Sequence, residues 1–152
     1  LLIKNKHSIT RWISILYRYG QNHISRQLGS YSIGSGQYIF LPALYKKDGI
    51  SQEEISDHLK IEKATTAKAM KRLEKEGYIK RNTDSGDKRA YKVFLTQKAL
   101  DIKPVIHNLL KNWAEVLMAD LTENEKETIY QLLGKMAKNA FAGFDKKDDL
   151  DK

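Results

Sequence analysis

The chain has 152 residues, 41% of them hydrophobic and 30% charged, with 27 Lys or Arg against 19 Asp or Glu and a net charge of +8. That length suits one compact subunit with helical extensions, and the composition sustains a globular core. The absence of cysteine excludes disulfides, thiolate metal sites and thiol-based redox sensing, and no apolar run approaches the roughly 18 residues that a spanning helix needs.

Taken in chain order, Leu1-Leu2-Ile3-Lys4 is basic but is followed by no long apolar stretch or small-residue cleavage site. The expected location is therefore a bacterial-type cytoplasm. Ile9, Trp12, Ile13, Leu16, Ile24 and Leu28 keep helical spacing and predict an amphipathic helix over roughly 7–28. Residues 29–36, rich in Gly and Ser, read as a loop. A second helix is expected from about Gly36 to Lys47, bent or shifted in its start by Pro42 and ended by Asp48-Gly49.

Ser51 followed by Glu54 is a capping box, so a short helix begins at Ser51 with Ile55 and Leu59 on its buried face. The next helix, about Lys63 to Glu76, places Thr66, Ala69, Met70 and Leu73 on one face and stops at Gly77. The period then changes. Residues 78–81 and 91–95 read as two strands of a hairpin whose polar tip is 82–90. Thr96 caps a long helix to about Ala119, kinked near Pro104, with Ile106, Leu109, Leu110, Trp113 and Leu117 as its stripe. Thr122 and Glu125 form a second capping box, opening a last helix that carries Ile129, Leu132, Leu133, Met136, Ala140 and Phe141. The charged tail, 145–152, should fray.

The fold class is thus mainly α, an α+β winged helix-turn-helix flanked by terminal helices. Two basic regions stand out. Residues 1–47 hold seven Lys or Arg and no acid, and 63–92 sum to +6, whereas 48–62 sum to −4 and 93–152 to −1. A helix-turn-helix inserts its second helix in the major groove, so that helix needs one apolar face and one face that reaches phosphates and base edges. Lys63, Ala64, Thr65, Ala67, Lys68 and Lys71 fall on the outward face, with Arg72 at its flank. The small side chains of Ala64 and Ala67 permit close approach, Thr65 suits a base or a phosphate, and Lys68 and Lys71 suit phosphates or, for Lys68, guanine. The plain alternative is a solvated helix face, which Glu74 and Glu76 would fit. In the wing, Arg89 suits a narrow minor groove, Asp87 would hold its guanidinium, Lys88 lies between them, and Arg81 at the wing base suits a phosphate.

The runs Gly49-Ile-Ser-Gln-Glu-Glu-Ile-Ser, Arg72-Leu-Glu-Lys-Glu-Gly-Tyr-Ile-Lys-Arg81 and Asp87-Lys-Arg-Ala-Tyr-Lys-Val-Phe-Leu-Thr96 resemble the middle segment of the MarR family. The Asp-x-Arg wing leading through Leu-Thr into a long helix is the most specific part, and the likeness extends from about residue 7 to 142. The resemblance implies a homodimer on pseudo-palindromic double-stranded DNA, acting usually as a repressor. It implies a single subunit, 1–152, with a DNA-binding region at 36–95 and a helical dimerisation region at 1–35 and 96–144. Its expected DNA contacts are Ser51, Gln52, Lys63, Ala64, Thr65, Ala67, Lys68, Lys71, Arg72, Arg81, Asp87, Lys88 and Arg89. The three lysines of the recognition helix suggest more phosphate contact than bidentate base reading.

Family members are often released by small anionic aromatic ligands held between the dimer helices and the winged region. Arg11, Tyr17, Arg18, His23, Tyr38 and Tyr45 are the candidates here, since Arg with aromatics suits a phenolic carboxylate. The alternative is that these aromatics are core. His7, His23, His58 and His107 have no helical pairing, so no metal and no cofactor is expected. No phosphate loop, nucleophile elbow or dinucleotide fingerprint is present, which argues against an enzyme. The rival reading is a winged helix used for nonspecific DNA binding or for protein contacts.

Overall fold

The computed structural model describes residues 8–83 and 91–148, with side chains described to residue 143. Seven α-helices and three strands follow in order among them, with a short 3-10 helix at Gly29–Tyr31 after the first α-helix. They are α1 (Ile9–Leu28), α2 (Phe40–Lys46), β1 (Ile50–Ser51), α3 (Gln52–Leu59), α4 (Lys63–Lys75), β2 (Ile79–Thr83), β3 (Tyr91–Leu95), α5 (Gln97–Asp101), α6 (Lys103–Leu117) and α7 (Glu123–Asp148). The chain divides into two compact units, Leu1–Trp113 and Ala114–Lys152. No helix of the described residues is long and apolar enough to cross a membrane.

The local signals act as their chemistry requires. Ser51 Oγ accepts from the Glu54 N–H at 3.1 Å while Glu54 Oε2 accepts from the Ser51 N–H at 2.8 Å, so two orphan donors at the start of α3 are satisfied reciprocally. Thr96 caps α5 one way only, its Oγ1 accepting from the Ala99 N–H. At the other end of α4, Gly77 adopts φ +79, its N–H donates to the Glu74 carbonyl, and the Tyr78 N–H donates to the Leu73 carbonyl. This is a Schellman termination, which needs the left-handed conformation that glycine adopts without cost.

Four expectations are corrected. The second helix begins at Phe40, not Gly36, which puts Pro42 in the first turn, where a missing N–H leaves no hydrogen bond unmade. The helix after Thr96 is two helices broken at Ile102. Pro104 cannot donate to the Leu100 carbonyl and its ring would crowd that oxygen. The hairpin is part of a three-stranded sheet of order β1-β3-β2, in which Ile50 and Ser51 pair with Val93 and Lys92. Asp48 guides this join, its Oδ1 accepting from the N–H of Gly49 at 3.0 Å and of Leu95 at 2.9 Å. Finally, β2 runs over Ile79–Thr83, so Asn82 and Thr83 belong to a strand rather than to the tip.

In the first unit, one core gathers Phe40, Leu41 and Leu44 of α2, Ile55 of α3, Ala69, Met70 and Leu73 of α4, and Ile79 and Val93 of the sheet. Ile24, Leu28 and Ile33 join it from one side and Ala99, Ile102, Ile106 and Leu109 from the other. The core therefore draws on residues beyond both ends of the 36–95 segment. Two phenols lock the long-range connections: Tyr78 donates to the Tyr31 carbonyl and Tyr45 to the Ala99 carbonyl, each at 2.6 Å. Burial pushes the Tyr45 pKa up to about 12, as expected for a phenol whose ionised form would be desolvated.

The first half of α1 is different. Ile9, Trp12, Ile13 and Leu16 are exposed, and only Ile24 and Leu28 of the expected stripe are buried. In the second unit, Ile129, Leu132, Leu133 and Phe141 are likewise exposed, although the Thr122–Glu125 capping box forms as expected.

Gly49 and Gly29 separate two kinds of glycine. Gly49 has φ +71, and a Cβ there would lie 2.9 Å from Phe94 Cε1, whereas Gly29 has open space and helical φ −58. Gly49→Ala is expected to destabilise by about 1–2 kcal/mol, and Gly29→Ala to stabilise by about 0.4–1 kcal/mol through the unfolded chain. Urea denaturation of the two variants checks both signs.

Candidate nucleic-acid interface

Helix α4 carries two faces. Thr66, Ala69, Met70 and Leu73 are buried, while Lys63, Ala64, Thr65, Lys68, Lys71 and Arg72 are exposed and Ala67 is half-buried. The exposed arc is therefore the one expected from the sequence. Its electrostatics are uneven. Lys63 Nζ sits 2.5 Å from Glu53 Oε1 of α3, and that ion pair pulls the Glu53 carboxyl below its ordinary range and lifts Lys63 above its own. Arg72 lies 3.5 Å from Glu76 one turn on. Lys68 and Lys71 make no ion pair among the described residues, so both ammonium groups remain available to an anion. Ser51 and Gln52, at the start of α3, are half-buried, with the Ser51 hydroxyl engaged as the helix cap.

The wing base is built around Arg81. Register pairs Arg81 with Val93 and Thr83 with Tyr91, so Ile79, Arg81 and Thr83 share a face with Leu95, Val93 and Tyr91. This face grades from buried Ile79 and Val93 to exposed Thr83 and Tyr91. Arg81 sits between, its side chain only 25% exposed. Its Nε donates to Glu74 Oε2 at 2.9 Å and its Nη2 donates to the same oxygen, while the guanidinium carbon lies 5.3 Å from the centroid of the Tyr91 ring. The hydrogen bonds from Arg81 hold the Glu74 carboxyl below its usual range.

Arg81 thus joins the sheet to the last turns of α4. Its charge is already neutralised by Glu74, an acid to which the sequence assigns no role except in the alternative of a solvated helix face. The signal that could find this pair is the strand register, which puts Arg81 on the inner face of the wing. The opposite face presents Lys80 and Lys92. Asp87, Lys88 and Arg89 lie outside the described residues.

The C-terminal end of α4 is further tied to α5. Thr96 Oγ1 donates to the Gly77 carbonyl at 2.7 Å, and the Thr96 N–H to the Tyr78 carbonyl at 3.0 Å. Lys98 Nζ donates to the Glu76 carbonyl at 2.6 Å and lies 4.4 Å from the centroid of the Tyr78 ring. A cation over the terminal carbonyls of a helix is favourable both for those acceptors and for the helix dipole.

The six expected ligand residues do not converge. Tyr17 and Tyr38 line one cavity of about 530 Å³, together with residues of α1, the loop before α2, α4 and α6, Trp113 among them. Arg11 and Arg18 are exposed and turned away. At 100° per residue they fall outside the arc of α1 that carries Leu16, Tyr17, Gly20, Gln21 and Ile24. Arg18 instead donates to Ser14 Oγ at 3.2 Å, and Arg11 lies 5.9 Å from the Trp12 ring. His23 stacks on Trp113 with ring centroids 5.2 Å apart, outside the lining. Tyr45 is a core strut, with its hydroxyl bound to Ala99. Sequence reading missed Trp113, Gln21 and Ile61 as lining residues because helical spacing marks them only as core or surface.

Comparison with known proteins bears on this arrangement. A model of the MarR family matches residues 35–91, from the loop before α2 to the first residue of β3. The chain is 31% identical over 133 residues to the HTH-type transcriptional regulator YybA of Bacillus subtilis, covering 88% of this chain and 89% of that protein. Among solved structures, a MarR transcriptional regulator from Methanosarcina mazei is 43% identical, with a TM-score of 0.80 over 88% of this chain and 96% of that one. A MarR family regulator from Listeria monocytogenes, solved in complex with a 26mer DNA, is 28% identical with a TM-score of 0.80, covering 87% and 88% of the two chains. On this likeness in sequence and in fold, the chain belongs to the MarR family of transcriptional regulators.

Proposed function

We propose that the protein represses transcription by binding a pseudo-palindromic operator in double-stranded DNA as a homodimer, and that a small aromatic effector releases it. The observation that carries DNA binding is the face of α4 on which Ala64, Thr65, Lys68 and Lys71 stand exposed while the opposite face is buried, beside a wing whose outer face carries Lys80. The Listeria relative bound to a 26mer DNA supports the same reading.

Homodimerisation is supported by the exposed apolar side chains of α1 and α7. Trp12 is 53% exposed and Leu133 55% exposed. Runs of large apolar side chains on single helices are costly in water, and a second copy of the same surface covers them. In this reading 36–95 is the DNA-binding region, 1–35 and 96–144 supply the dimer, and 145–152 is a charged tail whose residues 145–148 continue α7. Two recognition helices then meet half-sites about one helical turn apart, roughly 34–36 Å.

Selection of bound fragments from random-sequence duplexes at near-physiological salt tests the proposal. A shared inverted repeat is the expected product. Enrichment of no sequence, with binding that vanishes as salt rises, would instead favour a nonspecific binder, the reading to which a lysine-rich recognition face also lends itself.

Three substitutions sharpen it. Lys68→Ala is expected to lower the slope of log affinity against log salt by about one, as the loss of one phosphate contact does. Arg81→Ala is expected to weaken binding with the slope unchanged, because Glu74 already neutralises its charge; a slope lowered by about one would make Arg81 a phosphate contact after all. Leu133→Glu is expected to shift sedimentation towards the monomer and to weaken operator binding in parallel. A dimer that survives this change would place the interface elsewhere.

A further inference from the structure

The pair formed by Glu74 and Arg81 differs from the other ion pairs around α4 in where it lies and in how firmly it is closed. Positions 67, 71 and 74 are spaced by four and by three, so Ala67, Lys71 and Glu74 form one row along α4. Ala67 and Lys71 stand on the arc expected to meet DNA. Glu74 ends that row, and it brings the Arg81 guanidinium there with it, through hydrogen bonds from Nε and Nη2 to a single carboxylate oxygen. An acid at the end of a row that faces phosphates works against binding, so its presence there calls for a second effect.

A phosphate can open one of these pairs far more easily than another. The side chains of Lys63 and Glu53 are 71% and 66% exposed. Water already competes for both charges, and a phosphate oxygen can take the place of the carboxylate at little cost. Those of Arg81 and Glu74 are 25% and 36% exposed, and the Tyr91 ring lies over the guanidinium, its centroid 5.3 Å from the guanidinium carbon. The bonds from Arg81 hold the Glu74 carboxyl below its ordinary range, so the pair stays ionised and closed at neutral pH. Glu74 belongs to α4, Arg81 to β2 and Tyr91 to β3, so the same contacts that neutralise Arg81 fix the wing strands to the recognition helix.

We infer that Glu74 sets specificity for DNA: it withholds the Arg81 cation from phosphates, which every sequence offers, and uses it to fix the bearing of the wing on the recognition helix. The inference rests on the DNA-binding reading above. Releasing Arg81 has opposite consequences for two kinds of duplex. Random DNA is held through its phosphates, so it gains a contact. An operator is read through base edges and groove shape as well, which requires the wing at a fixed bearing, and that bearing is lost.

Glu74→Gln keeps the shape of the side chain and removes its charge. Affinities of the full chain for a random-sequence duplex and for the selected operator are measured across a salt series. On the random duplex, the slope of log affinity against log salt is expected to steepen by about one, and affinity at roughly 0.15 M salt to rise about fivefold, the effect of one added phosphate contact. Operator affinity is expected not to rise, so the ratio of operator to random binding falls about fivefold or more. Adding Arg81→Gln to Glu74→Gln is expected to return the slope on the random duplex to that of the parent.

An unchanged slope in Glu74→Gln, with both affinities lowered together, would make the pair a structural tie alone and overturn the inference. A slope that stays steep in the double variant would overturn it as well, because the gain would then come from loss of the acid and not from Arg81. A parent with no preferred sequence would refute the operator reading and leave no specificity for Glu74 to set. A preference that Glu74→Gln keeps in full would refute the present inference while the operator reading stands.

Discussion

Tyr78 is the residue through which the recognition helix is held to the rest of the first unit. Its N–H accepts the role of the Schellman donor to Leu73, its carbonyl receives the Thr96 N–H, and its hydroxyl reaches the Tyr31 carbonyl 47 positions earlier in the chain. The side chain is almost completely buried. One aromatic residue immediately after Gly77 thus ends α4, starts the sheet, anchors α5 and fixes the loop after α1. Because interiors are close-packed, a shift of this ring would be felt by all four segments at once. The orientation of α4, on which any reading of DNA depends, follows from this anchorage.

Around that anchor the charges fall into two groups. Glu74 with Arg81, Glu53 with Lys63 and Glu76 with Arg72 are internal pairs along the helix-turn-helix and wing base. Only the first is substantially shielded from water, and exposed pairs contribute little to stability. Their more useful effect is to sort the basic residues. A lysine already paired has less to gain from a phosphate than Lys68 or Lys71. The net charge of +8 therefore overstates the charge that the recognition face presents, while the uncharged cavity beside Thr65 lies outside this sorting altogether. Along this one helix, cations lie on the outer face and the aromatic-lined cavity meets the near end.

Much of this was legible in the residues. Capping boxes at Ser51 and Thr122, the stop at Gly77 and the buried face of α4 all arise from interactions within one or two turns, so sequence spacing suffices to locate them. The MarR family resemblance rested on the runs around Arg72–Arg81 and Asp87–Thr96, which lie where the helix-turn-helix joins its wing. What was not legible depends on which residues meet across the fold. Ile50 and Ser51 are too short a stretch to announce a strand and become one only because Val93 and Lys92 offer a ladder. Arg81 reads as a phosphate contact until register turns it inward to Glu74. Arg11 and Arg18 read as ligand partners until the helical phase of α1 carries them away from Tyr17.

The sequence by itself determined the order of the main elements, the caps at Ser51, Gly77, Thr96 and Thr122 and the two faces of α4, because these follow from backbone hydrogen-bonding needs and from side-chain periodicity along one segment. The break before Pro104 belongs here too, while Pro42 interrupts nothing because α2 starts at Phe40 and holds it in the first turn. Only the tertiary structure decided which charges are spent within the chain, which tyrosines are struts and which line a cavity, and which end of the recognition helix is held. Those outcomes depend on distances between residues tens of positions apart, such as Tyr45 to Ala99 and Tyr78 to Tyr31. Packing sets such distances, and no local pattern encodes them.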